Sequence, residues 1–289
     1  MVTILYGCGE LYQGNKEKIF KKYKIDYICD QKLDNLEVSI YDGIPVIKTV
    51  DAYKKKNITV ILCVYNIETI NEIKKCFIKR EEIKFIFFRA VITGRELLED
   101  FPEGVYEDFL GNVINFDKTL PQSIRIAIMG DDNKLVLGSN IEAGNKLSIN
   151  MGRKGFVSIG DKTTFGSASI DCAWGKVEIG SDCMFSWDVH IRNDDGHHIF
   201  DMVTGERLNR CGNLIIGNHC WIGEGCLLLK NINIGDGCVI GGKSVVTKSI
   251  PCNTIAAGNP AKIVKRGVNW ERNWTKTEDI DNLNDLRKV

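Results

Sequence analysis

Aliphatic side chains recur at every sixth position along the second half of the chain. Between residues 216 and 246 the period is unbroken, and its members are Ile216, Ile222, Leu228, Ile234, Ile240 and Val246. Neither the 3.6-residue period of a helix nor the alternation of a simple strand produces this spacing. A hexapeptide period is the signature of a parallel β-helix, in which short strands stack coil on coil and each coil buries the inner face of its neighbour.

Two further series of residues accompany the aliphatic one. Small side chains precede the aliphatic positions by two residues, namely Cys220, Cys226, Cys238 and Ser244. Glycine follows several aliphatic residues at points where the chain must bend sharply, namely Gly217, Gly223, Gly235 and Gly241. A chance hydrophobic run would not satisfy all three series, so the sequence predicts a β-helix.

The N-terminal third of the chain carries a different pattern. Apolar runs such as VTILY, TVILCVY and KFIFF alternate with segments of helical character such as NKEKIFKKYK and IETINEIKKCFIKR. Strands that alternate with helices form βαβ units with a parallel sheet. We therefore expect a Rossmann-like α/β domain over residues 1–110, a connection over 111–122, the β-helix over 123–266 and a helical tail over 267–289. In the tail, Trp270 and Trp274 have the spacing of one helix face.

A glycine turn follows the first predicted strand. Gly7 and Gly9 lie where a phosphate-binding turn belongs, and Asp30 ends the second strand, where a ribose-binding acid is expected. Tyr12, however, stands in the place of the third glycine of the GxGxxG fingerprint. Two interpretations stay open: a nucleotide site, or glycines that only make a tight strand-to-helix turn. The incomplete fingerprint favours the second.

Composition and charge narrow the function classes. Lys+Arg and Asp+Glu balance at 38 each, so no global field attracts nucleic acid or an anionic membrane. The N-terminal sequence lacks a basic region and a cleavage site, and no apolar run approaches the length of a membrane span, so we expect a cytoplasmic protein. The 11 cysteines include no CxxC pair, and several occupy small-residue positions of the repeat. We therefore expect free thiols and no metal site.

After Ile191 the hexapeptide period is broken by the longest excursion of the repeat region. The intervening segment, RNDDGHHIFDMVTGERLNRCGN, ends at residue 213, and Ile216 resumes the period. Excursions from a repeat scaffold project from one face and often carry function. This one contains His197 and His198 among several carboxylates, and histidine is the side chain best suited to exchange a proton near neutral pH. A solvated polar loop with incidental histidines is the alternative.

The repeat array, the loop motif DGHHIFD and the segment SVVTKSIPCNTIAAGNPAKIVKR together resemble the left-handed β-helix acyltransferases. The resemblance covers residues 123–266 and is nearest to the sugar O-acetyltransferases of bacterial surface polysaccharides. It implies a homotrimer with acetyl-CoA in a groove between subunits and a sugar or polysaccharide acceptor. The N-terminal region more loosely resembles domains that are associated with nucleotide-sugar substrates. The expected fold is thus a Rossmann-like α/β domain, then an all-β left-handed parallel β-helix with a short C-terminal helix.

The resemblance also assigns site residues. The family's catalytic base corresponds to His197, with His198 ranked second, and Asp195 or Asp201 would orient the imidazole. The candidate acceptor-binding residues are Trp187, Arg192 and Asn193. The candidate donor-binding residues are Trp221, Gly241, Gly242, Lys243, Thr247, Lys248, Ala256, Ala257, Pro260, Lys262 and Arg266. His190 and His219 are interpreted as structural or groove-edge residues.

We therefore expect an acetyl-CoA-dependent O-acetyltransferase that acts on a sugar hydroxyl by direct transfer. Two alternatives remain open: N-acetylation of an amino sugar on a nucleotide carrier, and a β-helix that binds a sugar or partner without turnover. A zinc hydratase of the carbonic anhydrase kind would use the same scaffold. Its pair of metal-binding histidines, however, has a spacing that is absent from this sequence.

Overall fold

The computed structural model describes residues 1–34, 36, 38–64, 66–77 and 83–272. Its first elements alternate between short strands and helices: β1 (Val2–Tyr6), α1 (Glu10–Gln13), α2 (Lys16–Lys22), β2 (Tyr27–Cys29), α3 (Gln31–Asp34), β3 (Ile40–Tyr41), β4 (Ile44–Pro45), α4 (Thr49–Ala52), β5 (Ile58–Leu62), α5 (Ile67–Phe77) and β6 (Ile83–Phe87). Four of these strands form a parallel sheet in the order β2-β1-β5-β6. Strand β5 is buried at every position, as in a parallel sheet covered on both faces.

Three elements join this sheet to the second half of the chain: β7 (Val91–Thr93), α6 (Gly94–Asp100) and β8 (Val105–Glu107). A capping box starts α6, because the Thr93 hydroxyl accepts from the Glu96 N–H and the Glu96 carboxylate accepts from the Thr93 N–H. The buried Arg89 forms ion pairs with Glu96 and Asp100, both on α6, at 2.9 Å. This junction is therefore fixed by polar contacts.

The remaining strands wind into a parallel β-helix: β9 (Val113–Asn115), β10 (Ile124–Ile128), β11 (Lys134–Leu137), β12 (Glu142–Met151), β13 (Gly155–Ile159), β14 (Thr164–Cys172), β15 (Gly175–Ile179), β16 (Met184–Phe185), β17 (Val189–Arg192), β18 (Leu214–Ile216), β19 (Trp221–Ile222), β20 (Leu227–Leu228), β21 (Ile232–Ile234), β22 (Val239–Ile240), β23 (Val245–Val246), β24 (Thr254–Gly258) and β25 (Ala261–Arg266).

The β-helix has three faces. Face A consists of β9, β11, β13, β15, β18 and β21. Strands β12 and β14 are long and turn one corner, so they belong to two faces. Face B contains their first residues with β16, β19, β22 and β24, and face C contains β10, their later residues, β17, β20 and β23.

The six aliphatic residues of the hexapeptide period form the core of the β-helix, and each is at most 1% exposed. The small-residue positions Cys220, Cys226, Cys238 and Ser244 are fully buried at the corners. The period therefore identifies both the inward positions and the corners, and the predicted hexapeptide β-helix is confirmed. Its left hand stays a prediction.

The β-helix begins before residue 123. Strand β9 lies in the predicted connection, yet it pairs in parallel with β11 on face A. Strands β7 and β8 pair antiparallel with β10 and β9, so they too belong to the first coil. No hexapeptide repeat marks this segment, because these strands form the end of the stack rather than its interior.

At the other end, the structure describes the tail only up to Arg272. Trp270 is described and buried, whereas Trp274 and the predicted C-terminal helix lie outside the described residues. None of the helices in the described part is long and apolar enough to cross a membrane. The cytoplasmic location stays a prediction.

Candidate functional site

The loop between β17 and β18, residues 193–213, leaves the corner between faces C and A. Its backbone folds back on itself, with the Leu208 N–H donating to the Ile199 carbonyl at 2.8 Å. Asn209 lies at its buried centre. The Asn209 amide nitrogen donates to the Asp195 carboxylate at 2.9 Å and to the His197 carbonyl at 2.7 Å, and its oxygen accepts from the Ile199 N–H. Sequence reasoning missed Asn209, since nothing distinguishes it from other polar loop residues.

His197, the predicted base, is presented by this loop with its side chain exposed. Asn209 fixes its backbone, whereas its ring forms no hydrogen bond or ion pair with any described residue. The ring of His198 packs edge-on against Phe200, with centroids 6.0 Å apart. The loop therefore leaves the His197 imidazole free to meet another molecule.

The two predicted orienting carboxylates have other partners. Asp195 is bound by Lys230, which follows β20 on the next coil, and this ammonium lowers the pKa of Asp195. Asp201 accepts from the N–H groups of Thr204 and Val203 at 2.7 and 2.8 Å, which lowers its pKa. Both carboxylates hold the loop in shape here, and their role toward His197 stays a prediction.

The three predicted acceptor-binding residues lie in different surroundings. Trp187 lies at the corner between faces B and C and is 56% exposed. Arg192 is also exposed, and its guanidinium lies 3.6 Å from the Asp171 carboxylate. Asn193 contradicts its predicted role. Its amide is fully buried, its oxygen accepts from the Ala173 N–H at 3.0 Å, and its nitrogen donates to the Trp174 carbonyl. Asn193 thus links two coils and has no free polar group for a ligand.

The predicted donor-binding residues are distributed over two corners and face B. Trp221 lies on β19 and is 40% exposed. Ala256 is fully buried, so its side chain belongs to the core rather than to a groove surface. The other candidates are Gly241, Gly242 and Lys243 at the corner between faces B and C, Thr247 and Lys248 at the corner between faces C and A, and Ala257, Pro260, Lys262 and Arg266 in or beside β24 and β25.

The glycine at 241 has a structural reason. A Cβ there would lie 2.9 Å from the Ala257 Cβ of the next coil, closer than real carbon atoms approach. Lys248, Lys262 and Arg266 are exposed, and none of them has an ion-pair partner in the part of the chain that the structure describes. Stacking of coils therefore explains Gly241, while the three cations remain available to an anion.

A groove of about 620 Å³ runs along face B. Apolar side chains dominate its lining, and among the predicted site residues it brings together Trp187 and Trp221. Arg272 and Glu271 border it. Arg272 is fixed there by hydrogen bonds to the Thr164 hydroxyl at 2.7 Å and to the Asp182 carboxylate at 3.1 Å. The sequence alone predicts no role at the groove for Glu271 and Arg272.

His219 holds the neighbouring Trp270 in place and so has a structural role. Its Nδ1 lies 2.7 Å from Asp182, its Nε2 lies 3.0 Å from the Trp270 carbonyl, and its ring stacks on the Trp270 indole at 4.3 Å. Burial disfavours the ionised form of Asp182, but the bond to His219 and the Arg272 charge outweigh it and lower the pKa of Asp182. Within the described residues, no group of three or more His, Cys, Asp or Glu side chains has a metal-binding arrangement.

Comparison with known proteins identifies the family. The family described as bacterial transferase hexapeptide (six repeats) matches residues 213–248. The polysialic acid O-acetyltransferase of Neisseria meningitidis is 33% identical over 147 residues, which are 43% of this chain and 68% of that relative. The chain belongs to the hexapeptide-repeat transferase family. This membership agrees with the repeat that the sequence predicts.

Other relatives match shorter parts. The polysialic acid O-acetyltransferase of Escherichia coli O1:K1 / APEC is 39% identical over 118 residues, 40% of this chain, and the match spans only 38% of that relative's length. The solved structure of the polySia-specific acetyltransferase NeuO is 29% identical, covers 61% of this chain and 93% of that chain, and has a TM-score of 0.44. The relatives are named acetyltransferases, in agreement with the predicted acyltransferase class.

Proposed function

We propose that this chain is an acetyl-CoA-dependent O-acetyltransferase that acts on a sugar hydroxyl of a surface polysaccharide or its precursor. One observation carries the proposal: a member of the hexapeptide transferase family presents His197 on the loop that interrupts its coils, exposed and without a hydrogen-bond partner for its ring among the described residues. The names of the relatives from Neisseria meningitidis and Escherichia coli, both polysialic acid O-acetyltransferases, support a polysaccharide acceptor.

The proposed active site lies between two copies of the chain. The loop leaves the corner between faces C and A, whereas Trp221 and the apolar groove lie on face B, across the coil from that corner. Apolar loop side chains are also exposed, namely Ile199, Phe200, Met202, Val203 and Leu208. Exposed apolar clusters mark interaction surfaces. We propose a homotrimer in which the loop of one subunit approaches face B of the next, a contact that closes into a ring.

The donor in this proposal is acetyl-CoA. An apolar groove that contains the exposed indole of Trp221 suits its slender pantetheine arm. The exposed cations Lys248, Lys262 and Arg266 suit its phosphates. No metal takes part in the proposed reaction, since a histidine base and a thioester supply the chemistry.

The proposed reaction is a direct transfer. His197 accepts the proton of the acceptor hydroxyl while the hydroxyl oxygen attacks the thioester carbonyl, which gives a tetrahedral intermediate. Collapse of this intermediate breaks the carbon–sulfur bond, and the leaving thiolate takes the proton from His197. A positioned base contributes about 10²–10⁴-fold to the rate. Alignment of two bound substrates adds an entropic advantage.

Calorimetry with acetyl-CoA on the wild type and on His197→Ala tests this proposal without knowledge of the acceptor. We expect both proteins to bind acetyl-CoA with micromolar to sub-millimolar affinity. In a thiol-release assay with a panel of saccharides, His197→Ala should then be slower by about 10²–10⁴-fold. A folded, oligomeric wild type that does not bind acetyl-CoA would instead support a non-catalytic β-helix scaffold.

N-acetylation of a nucleotide-linked amino sugar is a second candidate function. A cavity of about 340 Å³ at the carboxyl end of the parallel sheet favours it, with Gly7, Asp30 and Thr69 in its lining. Two observations oppose this function. Both Asp30 oxygens accept from backbone N–H groups, those of Cys8 and Lys32, and Tyr12 is fully buried where the fingerprint needs glycine. Calorimetry with a UDP-sugar distinguishes the two functions. Only N-acetylation of a nucleotide-linked sugar requires that the wild type bind the UDP-sugar and that Asp30→Ala abolish this binding.

A further inference from the structure

The outer surface of face C is polar on the first coils and apolar on the last. Parallel register aligns Arg125, Ser148, Ser169 and His190 in one outward row across β10, β12, β14 and β17. The same row continues with Leu227 and Val245 on β20 and β23. The rows on either side contain Lys146 and Ser167, and Asn150, Asp171 and Arg192. In the central row, polar side chains thus occupy only the coils that precede the loop.

A cleft of about 380 Å³ is lined by the polar row from Arg125 to His190 and, beside it, by Lys146, Ser167 and Asn150. Short serine side chains form its floor, while Arg125 and Lys146 stand at one end and Asp188 and His190 at the other. Neighbouring parallel strands are about 4.8 Å apart, so the row from Arg125 to His190 extends about 14 Å. The cleft therefore has the dimensions of an extended polar ligand. We call it the face C cleft.

Ser148, in the floor of the face C cleft, has an unsatisfied hydroxyl group. This side chain is only 7% exposed, it lines the cleft, and its hydroxyl has no hydrogen-bond partner among the described residues. A buried polar group without a hydrogen-bond partner is destabilising. The Ser167 hydroxyl, by contrast, already accepts from the Asp188 N–H at 2.9 Å. The Ser148 oxygen is itself buried, so a ligand hydroxyl would satisfy it only after the side chain rotates toward the cleft.

The cleft contains two cations, Arg125 and Lys146, and one carboxylate, Asp188. Asp188 lies 3.2 Å from the His190 imidazole, and Asp171 accepts from Asn150 at 2.7 Å. Arg125 and Lys146 have no ion-pair partner within the described ranges. Two free cations above a floor of hydroxyl groups match a ligand that has both a carboxylate and hydroxyls, because each polar group then gains a charge-assisted or neutral hydrogen bond.

We propose that the face C cleft is an acceptor subsite that holds an acidic saccharide, with the sugar carboxylate at Arg125 and Lys146 and its hydroxyls on the serine floor. The proposal rests on the proposed function. Strand β17 runs from His190 through Arg192 into the loop that presents His197. A sugar chain bound in the cleft is thereby led toward the loop, and the subsite selects anionic polymers as substrates.

Titration of the full chain with trigalacturonic acid, oligosialic acid and neutral maltotriose, followed by saturation-transfer NMR, tests the proposal without acetyl-CoA. We expect the wild type to bind at least one acidic oligomer and to bind maltotriose at least tenfold more weakly. Lys146→Ala should weaken acidic binding by about tenfold or more, since a hydrogen bond to a charged group is lost. Ser148→Phe, which fills the cleft from an outward position, should abolish it.

Lys134→Ala is the matched control, because Lys134 is an exposed lysine on face A that has no ion-pair partner in the described part of the chain. It should bind like the wild type. The proposal is overturned if all three variants bind acidic oligomers equally, if inorganic phosphate binds and the carboxylate sugars do not, or if Ser148→Phe dissociates the oligomer while saccharide binding persists. Acetyl-CoA calorimetry on the same samples separates the two proposals, since donor binding without any effect of the cleft variants rejects only the subsite.

Discussion

The stacked coils and the loop that interrupts them are stabilised in different ways. In the coils, one aliphatic residue per hexapeptide is buried on its predecessor, and the outer positions are free to vary. In the loop, the larger apolar residues Ile199, Phe200, Met202, Val203 and Leu208 are 53–101% exposed. Polar contacts of Asn209, Asp195 and Lys230 give the loop its shape instead.

This difference separates stability from function. Substitution of an inward coil residue removes packing that every neighbouring coil depends on, so stability falls throughout the scaffold. Substitution in the loop removes few buried contacts, so the fold persists while the proposed chemistry is lost. The loop therefore has few buried apolar contacts of its own, as is typical of functional segments on a rigid support.

The largest expected effect is on packing in the coils. Ile222→Ala should lower the free energy of unfolding by about 2–5 kcal/mol, because it leaves a cavity in a fully buried layer. Urea denaturation followed by circular dichroism measures this. The control is Ile215→Ala, at an outward and half-buried position on β18, which should cost clearly less. Equal losses at the two positions would contradict the assignment of inward and outward residues.

Asp108, in the first coil, provides a second test of this comparison, because it is polar and buried without being part of the repeat. Burial raises the pKa of Asp108 from 3.8 to about 6, although hydrogen bonds from Asn112 and Leu110 partly offset it. The folded state therefore binds the proton more tightly than the unfolded state. Stability should rise as pH falls from above the folded pKa toward the unfolded value, by about 3 kcal/mol in all.

Asp108→Asn isolates this contribution, since the lost hydrogen bonds cost the same at every pH. The free energy of unfolding of the wild type relative to Asp108→Asn should increase between about pH 7.5 and about pH 4. Urea titrations at four pH values measure the difference. A difference that is independent of pH would show that Asp108 does not titrate in this window.

The smallest expected change in stability is at the base of the loop. Lys230→Ala removes the ion pair with Asp195, which is partly exposed and contributes about 1 kcal/mol or less. The free energy of unfolding should change little. The rate of acetyl transfer should fall clearly, because the pair holds the segment that presents His197. Lys176→Ala, which removes the ion pair with Glu178 on face A, is the matched control and should leave turnover unchanged. Equal turnover in both variants would mean that Lys230 does not position the loop.

The sequence predicts the coils well because each coil repeats the same contacts. Burial of the positions from Ile216 to Val246 follows from a period that can be read without knowing any distant partner. Strand β9 has no such period, since it pairs with β11 about one coil later in the chain. The start of the β-helix therefore depends on pairing that local sequence does not encode.

The candidate site is only partly predictable for the same reason. The break in the period locates the loop, and the motif around His197 identifies its chemistry. Asn193 and Asn209 are both polar residues in one segment, yet Asn193 is a buried link between coils and Asn209 is the centre of the loop. Ser148 belongs to a polar row only because parallel register aligns it with Ser169 and His190. These roles arise from contacts between coils.

Mixing of inactive subunits tests the central claim most directly, namely that His197 of one copy acts at face B of another. His197→Ala and Trp221→Ala would be produced separately, then unfolded and refolded together in equal amounts, with acetyl transfer to a saccharide as the readout. Each variant alone should be nearly inactive, while the mixture should regain about one quarter of wild-type activity, the share of interfaces that unite both intact residues in a cyclic oligomer. A mixture no more active than its components would contradict the account and place both residues in one subunit's site.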